Sequence, residues 1–425
     1  MRLRVETRPI DPVDDLLAFA SPASPLAWLR RGDGIVAVGD DMAAYLRVPR
    51  QESDAARTAL LAQQWRELAA GAEVHDPLSL PGTGLVAFGA LVFDEHSAAD
   101  SVLIVPRLLV GRHSGRTWVT RVHAEGSPAA SDTLPEPTGY GPHWAGTLGP
   151  GAQTPERYQD AVRGALAAIE AGEVSKVVVA RDLTGTVPEG ADLRRLVRAL
   201  AAGYPDTWVF AADGLIGASP ETLVTVRGGT VTARVLAGTA ARGADPDADT
   251  AAGAALASSA KDLDEHQYAT QSVLGALRPH TRALARSEQP FLLTLPNLFH
   301  LATDVEGELA DGSSALDMVG ALHPTAAVAG TPTAAAIAAI RRLEPFDRGR
   351  YAGPVGWVDA GGNGEWAIAL RCAQFDTGSV RGANPAGGEL GVTAYAGAGI
   401  VTGSDPETEL LETRIKFRPL VDALA

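Results

Sequence analysis

Residues 348–375 read RGRYAGPVGWVDAGGNGEWAIALRCAQF, and residues 394–416 read AYAGAGIVTGSDPETELLETRIK. Within these stretches, residues 366–375 and 392–401 are apolar or alternate between apolar and polar side chains, with glycine clusters on their flanks. Such runs predict two β-strands, and the glycines before the first run predict a hairpin turn. The acidic segment that follows the second run predicts a helix.

The same part of the chain concentrates side chains that bind ions. Glu409 and Glu412 are three residues apart, so both carboxylates lie on one face of the predicted helix. Arg371 lies in the first predicted strand, Lys416 follows the two acids, and residues 397–399 read Gly-Ala-Gly. These residue types are ligands for metal ions and for small anions.

Composition restricts the class of protein. The chain has 425 residues, a hydrophobic content of 46% and a formal net charge of -15. The hydrophobic fraction supports a substantial core, and no basic run offsets the negative charge, which argues against nucleic acid as a partner. Cys372 is the only cysteine, so an internal disulfide and a thiolate zinc site are excluded. We expect it to be a buried structural thiol.

The lengths of the apolar runs predict a cytoplasmic protein without a membrane segment. The first residues, MRLRVETRPIDPVDD, lack the apolar region of a signal peptide. No stretch of about 20 apolar residues is free of charge, which is the length that a membrane span requires.

The first half of the chain shows no catalytic cluster. Residues 1–150 carry strand and turn patterns, with one clear helix at residues 55–70. Residues 125–153 are rich in Pro, Gly, Ser and Thr and are predicted to form an exposed connection. Thr154 then caps a predicted helix, and residues 251–277 are predicted to form a second, long helix.

Further polar residues stand beside the strands and helices of the second half. Lys176 opens a short apolar strand, and Glu221 follows a proline at the start of another. A lysine in this position usually extends to solvent and a lone glutamate usually lies in a turn, so the pattern leaves both roles open. The other candidates are Gly238 and Thr239 in a predicted loop, Asp262, Glu265 and His266 on a predicted helix, and His300 in a predicted strand.

The ligand types favour magnesium over zinc or a nucleotide. Carboxylate oxygens without a Cys or His cluster suit Mg²⁺, which commonly links one or two protein carboxylates to an anionic substrate. Arg371 and Lys416 could then bind further carboxylates of that substrate. The chain has no G-x-G-x-x-G fingerprint after a strand and no P-loop. The residues therefore predict a Mg²⁺-dependent enzyme that acts on a small polyanion, and they leave its reaction open.

Successive segments of the chain resemble the motifs of a known family, the chorismate-utilising enzymes. These are the isochorismate, salicylate, anthranilate and aminodeoxychorismate synthases, and the similarity is greatest to the isochorismate synthases. It is collinear from about Thr154 to the C-terminus and weak over residues 1–150. The matching segments, besides the two quoted first, are SKVVVAR, GASPETL, LAGTAARG, AKDLDEHQ, PNLFHLATDVEG and LHPTAAVAGTP.

The resemblance implies an α/β fold of the α+β type. The whole chain, residues 1–425, would form one large chorismate-binding domain, a two-layer and mostly antiparallel β-sandwich with helices packed outside. The active site would lie in a central cleft. Residues 1–150 would be the variable part and residues 154–425 the catalytic part, joined by an internal connection.

The resemblance also implies which residues bind Mg²⁺ and chorismate. The metal would be held by Glu265 and Glu412, with Glu409 acting through water, and would bind the ring carboxylate of chorismate. The substrate-binding residues would hold the enolpyruvyl carboxylate, seat the ring carboxylate or line the ring: Arg371, Gly397, Ala398, Gly399, Gly238, Thr239, Lys416 and His300.

The implied reaction adds water at C2 of chorismate and removes the hydroxyl at C4. Lys176 would deprotonate the attacking water, and Glu221 would protonate the departing hydroxyl. Glu221 therefore needs a pKa well above that of a free glutamate, near ~4.3, and desolvation in a cleft shifts it in that direction.

Two alternatives to isochorismate synthase follow from the same family. Salicylate synthases keep the lysine but go on to eliminate pyruvate, and they typically carry threonine where Ala327 stands here. A non-catalytic relative would bind chorismate without converting it, but no ligand or base is missing. The amine-transferring members generally lack a lysine at the position of Lys176. The resemblance implies a monomer, although the sequence does not exclude a dimer, and a product that feeds menaquinone or siderophore biosynthesis.

Overall fold

The computed structural model describes residues 2–51, 56–125, 133–294, 298–377 and 388–425. Within these ranges the chain forms 23 strands, which are, in chain order, β1 (Leu3–Ile10), β2 (Ala27–Arg30), β3 (Asp33–Ala37), β4 (Met42–Val48), β5 (Glu73–His75), β6 (Val86–Ala90), β7 (Ser101–Pro106), β8 (Leu108–His113), β9 (Arg116–Ala124), β10 (Thr147–Pro150), β11 (Lys176–Pro188), β12 (Trp208–Ala212), β13 (Leu215–Ser219), β14 (Thr222–Arg227), β15 (Thr230–Ala241), β16 (Thr281–Arg286), β17 (Phe291–Thr294), β18 (Leu298–Leu309), β19 (Gly330–Thr331), β20 (Pro354–Asp359), β21 (Gly364–Ile368), β22 (Cys372–Phe375) and β23 (Glu389–Ile400).

The described ranges also contain eight α-helices, which are α1 (Arg57–Ala70), α2 (Pro155–Glu170), α3 (Arg194–Gly203), α4 (Pro246–Ser258), α5 (Ala260–Leu277), α6 (Ala315–Leu322), α7 (Thr333–Leu343) and α8 (Pro406–Leu424). Short 3₁₀ turns occupy Leu16–Phe19 and Arg278–His280. No helix in the part of the chain that the structure describes is both long and apolar enough to cross a membrane.

The strands form two sheets. The order in the first sheet is β10-β11-β23-β22-β13-β12-β2-β3-β8-β9-β1-β5, and β19 also pairs with β11. The order in the second sheet is β16-β18-β15-β14-β21-β20-β6-β7-β4, and β17 also pairs with β18. Neighbouring strands run antiparallel, apart from the parallel pair β1 and β5. The prediction of a mostly antiparallel fold is confirmed.

The two sheets share one hydrophobic core. Trp28 of the first sheet and Phe88, Leu103 and Trp366 of the second belong to the same buried cluster. A Cβ added at Gly89 would lie 2.2 Å from the Trp366 ring, so the glycine allows the indole to lie across β6. Each large apolar side chain buried here stabilises the fold by roughly 1.5–3 kcal/mol. Strands from residues 1–150 enter both sheets, so the fold is a single domain, as predicted.

Helices cover the outer faces of the sandwich. Helices α3 and α8 pack on the first sheet through a second apolar cluster, and α5 packs on β15 of the second sheet. Helix α2 begins where predicted, because the Thr154 hydroxyl accepts a hydrogen bond from the Arg157 N–H. The predicted helix at residues 55–70 is α1, although residues 52–55 lie outside the described ranges.

The structure corrects the prediction of a single strand at residues 366–375. Strand β21 ends at Ile368 in the second sheet, and β22 begins at Cys372 in the first sheet. Arg371, between them, has a φ of 50°. The chain crosses between the layers here, and the left-handed conformation, uncommon for a residue with a Cβ, makes the sharp turn. Cys372 is buried, as predicted.

Two other predictions also need correction. Residues 251–277 are not one helix: α4 ends at Ser258, and Ser259 caps α5 by accepting a hydrogen bond from Asp262 N–H. The serine side chain competes with continued helical hydrogen bonding, which favours a cap over a helix interior. The predicted connection at residues 125–153 contains the edge strand β10, and its residues 126–132 lie outside the described ranges.

Candidate active site

A cavity of about 450 Å³ opens where β11, β15, β18 and β23 approach helices α5 and α8. All the residues to which the family resemblance gives a role in the site line it, with one exception. Those lining it are Lys176, Glu221, Gly238, Thr239, Glu265, His300, Arg371, Gly397, Gly399, Glu409, Glu412 and Lys416. The fold therefore brings residues that are far apart in sequence to a single cavity.

The exception is Ala398, which does not line the cavity. Its side chain is 1% exposed and belongs to the core. Successive side chains of a strand point to opposite faces of the sheet, so Ala398 turns away from the face on which Gly397 and Gly399 border the cavity.

Lys176 lies across the floor of the cavity. It is the first residue of β11, and β11 pairs with β23 so that Val178 is opposite Gly399. A Cβ at Gly399 would lie 3.0 Å from Lys176 Cε and 3.6 Å from Nζ, so the missing side chain makes room for the lysine. Lys176 Nζ lies 2.5 Å from Glu265 Oε1, which α5 presents from the opposite wall.

Helix α8 contributes two carboxylates, those of Glu409 and Glu412, and the ammonium group of Lys416 to the cavity lining. The Asp405 side chain caps the helix by accepting a hydrogen bond from Thr408 N–H. Lys416 Nζ lies 2.6 Å from Glu412 Oε1 and donates a hydrogen bond to the Gly397 carbonyl at 2.8 Å. Burial tends to raise the pKa of Glu412, but Lys416 outweighs it and lowers that pKa below the ordinary value. Burial raises the pKa of Glu409.

Glu221 has a different environment from the other acids. It lies in the turn between β13 and β14, where its N–H donates to Ser219 Oγ and its carbonyl accepts from Ile368 N–H. Among the described residues, its carboxylate has no hydrogen-bond or ion-pair partner. Burial raises the pKa of Glu221 to about 7, against the opposing charges of Lys176 and Lys416. A substantial fraction of this side chain is thus a neutral acid near pH 7.

Arg371 supplies an available cation. The strained turn between β21 and β22 aims its side chain into the cavity, and its carbonyl accepts a hydrogen bond from Ala218 N–H. Within the described ranges, the guanidinium has no hydrogen-bond or ion-pair partner, although burial lowers its pKa. A guanidinium in this state is suited to bind a carboxylate through two hydrogen bonds.

Thr239 and His300 form a polar pair on neighbouring strands. Thr239 of β15 is opposite His300 of β18, just after a register shift at which Gly238 has a φ of 79°. The Thr239 hydroxyl and His300 Nδ1 are 2.9 Å apart. Burial and the charge of Lys416 lower the pKa of His300 to about 4, so the imidazole is neutral at pH 7.

Some residues of the cavity were not predicted. Tyr351 and Tyr395 stack with their ring centroids 5.1 Å apart, and both border the cavity. A repeated Tyr-Ala-Gly, at residues 351–353 and 395–397, was the only signal for them in the sequence. His266, by contrast, turns away from the cavity, since its ring contacts the Ala237 carbonyl and the hydroxyl of Thr303.

The acids of the cavity match the chemistry of a magnesium site. Among the described residues, no three carboxylate, histidine or cysteine side chains are grouped closely enough to hold a metal ion without rearrangement. Glu265 and Glu412 are each paired with a lysine ammonium group, which supplies a positive charge at the carboxylate. Mg²⁺ requires only one or two protein carboxylates and completes its shell with water and substrate oxygens. Glu265, Glu412 and Glu409 therefore fit this ion by ligand type.

Comparison with known proteins gives a consistent result. The family described as chorismate binding enzyme matches residues 145–425, which include every residue of the site described above. Isochorismate synthase DhbC of Bacillus subtilis is 43% identical over 282 residues, 64% of this chain and 68% of the relative. The putative isochorismate synthase MenF of Mycobacterium tuberculosis is 37% identical over 355 residues, 81% of this chain and 87% of the relative.

Solved structures show the same architecture. The putative 2,3-dihydroxybenzoate-specific isochorismate synthase DhbC from Bacillus anthracis superposes with a TM-score of 0.73 at 31% identity, covering 96% of this chain and 98% of the other. The menaquinone-specific isochorismate synthase MenF from Escherichia coli superposes with a TM-score of 0.75 at 26% identity, covering 99% and 94%.

Proposed function

This chain belongs to the family of chorismate-binding enzymes, and on that premise we propose that it is a Mg²⁺-dependent isochorismate synthase. One observation carries the proposal beyond the family: Lys176 and Glu221, a base and an acid, border the same cavity. The raised pKa of Glu221, about 7, suits an acid that gives up a proton near neutral pH.

Chorismate, a dicarboxylate, fits the charges of the cavity. Arg371 binds the enolpyruvyl carboxylate, beside the backbone N–H groups of Gly397 and Gly399. Lys416 and Thr239 seat the ring carboxylate. Glu265 and Glu412, with Glu409 in support, would hold Mg²⁺, which would supply positive charge at that carboxylate. The two lysine–glutamate ion pairs would have to open for this.

Lys176 and Glu221 then carry the proton transfers. Lys176 removes a proton from water as the oxygen bonds to C2 of the ring. The diene electrons shift around the ring, the C4–O bond breaks, and Glu221 protonates the departing hydroxyl to form water. One water enters and one leaves, so the product is an isomer of the substrate.

Product analysis tests the proposal. Incubation of the purified protein with chorismate and Mg²⁺ should yield isochorismate alone. Salicylate with pyruvate would instead identify a salicylate synthase, and unchanged chorismate would identify a non-catalytic relative. Chromatography with the three standards separates these outcomes.

Lys176→Ala provides the matched test of the base. We expect isochorismate formation to fall by at least about 10²-fold, since general base catalysis typically contributes 10²–10⁴. Chorismate affinity, measured by calorimetry with Mg²⁺, should change little because Arg371 and Lys416 remain. A variant that retains near wild-type turnover would exclude Lys176 as the base.

The product would supply menaquinone or siderophore synthesis. Relatives named for both purposes resemble this chain. Deleting the gene and asking whether added menaquinone or added iron restores growth would distinguish the two pathways.

A further inference from the structure

A second cavity, of about 270 Å³, lies behind the wall that carries Glu221. Glu221, Leu236 and Ala327 border both this cavity and the active-site cavity. Glu221, the residue proposed as the acid, therefore lies in the wall that separates the two cavities. The second space is enclosed by β14, β15, α5 and the segment around the His323-Pro324 bond.

The lining of the second cavity does not suit a dicarboxylate substrate. Most of its residues are small or apolar, among them Ala233, Val273 and Ala276. Arg234 is the only lysine or arginine among the described residues that line it, and its charge is paired with Asp304, to which Nε and Nη2 donate at 2.6 and 2.9 Å. A dicarboxylate would find no available cation here. The volume exceeds the ≈ 30 Å³ that one water occupies in the liquid.

Two residues that line this cavity each carry a buried polar atom with no hydrogen-bond partner among the described residues. His323 Nε2 lies 3.0 Å from the Phe93 carbonyl and must donate to it, which leaves Nδ1 as an acceptor. His323 Nδ1 and the Thr325 hydroxyl are buried and have no hydrogen-bond partner. Such atoms are the usual ligands of internal water.

The proposed reaction requires a water exchange at Glu221. Each turnover releases one water beside Glu221, leaves Glu221 without its proton and leaves Lys176 with an additional one. While substrate or product occupies the first cavity, a second route from Glu221 would let the water leave and the proton return before the product departs.

We propose that the second cavity is a water passage through which the water formed at C4 leaves and Glu221 regains its proton. This inference rests on the proposed isochorismate synthase activity. Chorismate enters and leaves by the first cavity, and the passage excludes it for lack of a free cation. Ala327 and Leu236 form the constriction between the two cavities.

Closing the mouth of the passage tests the inference. Ser272 on α5 is exposed and lines the second cavity, so Ser272→Trp should obstruct it. Gln271→Trp places the same side chain on the exposed surface of the same helix, outside the cavity lining, and serves as the control. We expect the kcat of Ser272→Trp to fall about tenfold, with an unchanged KM, because release of the water becomes limiting. The control should stay within about twofold of the wild type. Ala276→Phe, inside the cavity, should act like Ser272→Trp.

Isotope labelling distinguishes a passage from a structural effect. Chorismate that carries ¹⁸O in its C4 hydroxyl releases labelled water in each turnover. In the wild type and the control this water escapes, and isochorismate contains no ¹⁸O at C2. In the obstructed variants, trapped labelled water should attack the next substrate, so mass spectrometry should detect ¹⁸O in the product.

Two results would overturn the inference. One is unlabelled product from both Ser272→Trp and Ala276→Phe, whatever their kcat. The other is an equal loss of kcat in Gln271→Trp, without label. A wild-type protein that forms no isochorismate would refute the proposed function itself, which is a separate outcome.

Discussion

Burial and missing partners, more than residue type, distinguish the acids of this site. Glu412 is paired with Lys416, and its pKa is lowered. Glu221, partly buried and without a partner among the described residues, has a pKa raised to about 7. Two glutamates in one cavity can therefore take opposite roles, one as an anionic ligand and one as a proton donor.

Glu221→Gln should remove activity and yet stabilise the protein at alkaline pH. The folded pKa of Glu221, about 7, exceeds that of a free glutamate, ~4.3. The stabilising contribution of the proton is complete below ~4.3 and is lost as the pH rises to about 7. Above this range the wild type carries a buried charge that glutamine lacks. The gain in Tm of the variant should grow from pH 5 to pH 8 in thermal melts. A gain that is the same at both pH values would contradict the raised pKa.

Gly399→Ala should displace Lys176, the proposed base. The added methyl would lie 3.0 Å from Lys176 Cε, so the end of the lysine side chain must shift by a few tenths of an ångström. A small misplacement of a reacting group can lower turnover by roughly 10²-fold. We therefore expect a large loss of kcat and a small change in KM, measured by steady-state kinetics.

The Gly399→Ala substitution, repeated in a Lys176→Ala protein, shows whether Gly399 acts through Lys176. In the Lys176→Ala background, the added methyl has no lysine to displace, so chorismate affinity should not change further. If Gly399→Ala weakens chorismate binding equally in both backgrounds, the glycine acts on the substrate and not on the lysine.

At the level of elements, local patterns predicted strands and helices well but not where the chain changes layer. The Thr154 cap, the helix with Glu409 and Glu412, and the strand opened by Lys176 all follow from local rules. The break at Arg371 does not, because residues 366–375 are apolar throughout apart from Arg371 itself and the uncharged Gln374. Two short strands in different sheets then give the same pattern as one long strand.

The same limitation applies to the site. Ion-binding side chains on α8 could be predicted because they are three and four residues apart on one helix. Lys176 and Glu221 could not be separated from ordinary strand-end residues by pattern, and only the resemblance to a family assigned them roles. Their proximity depends on β11, β23 and the turn after β13 meeting at one cavity, which is a property of the tertiary fold.

Asp405→Ala should weaken both helix α8 and the binding of Mg²⁺. The Asp405 carboxylate accepts hydrogen bonds from Thr408 N–H and the Thr408 hydroxyl, both at 2.9 Å. Loss of an N-cap costs about 1 kcal/mol of stability, and the first turn of α8 carries Glu409. We expect a lower Tm and a smaller rise of Tm on addition of Mg²⁺.

Ser314→Ala is the control, because Ser314 caps α6 in a capping box away from the active-site lining. It should lower Tm by a similar amount and leave the Mg²⁺-dependent rise intact. An Asp405→Ala protein with the full rise would show that the α8 cap has no part in metal binding.

At the scale of the molecule, the variable first part of the chain is structurally inseparable from the part that carries the site. Strands β1, β2, β3, β5, β8 and β9 complete the first sheet, while β4, β6 and β7 complete the second. β6 pairs with β20, so the layer that leads to Arg371 is supported by residues from the first hundred. Residues 1–150 thus resemble the family only weakly in sequence, although their strands are part of both sheets.

Leu103→Ala should therefore destabilise the whole protein and not only its first part. Leu103 is fully buried on β7 and belongs to the core cluster that also contains Val177 and Ile400 of the active-site strands. Truncation of a buried leucine costs about 2–5 kcal/mol. Because both sheets share that cluster, unfolding followed by far-UV circular dichroism, tryptophan fluorescence and loss of chorismate binding should give one coincident transition, shifted to lower temperature. Two transitions, with chorismate binding lost at the wild-type temperature, would instead show that residues 154–425 form an independent unit.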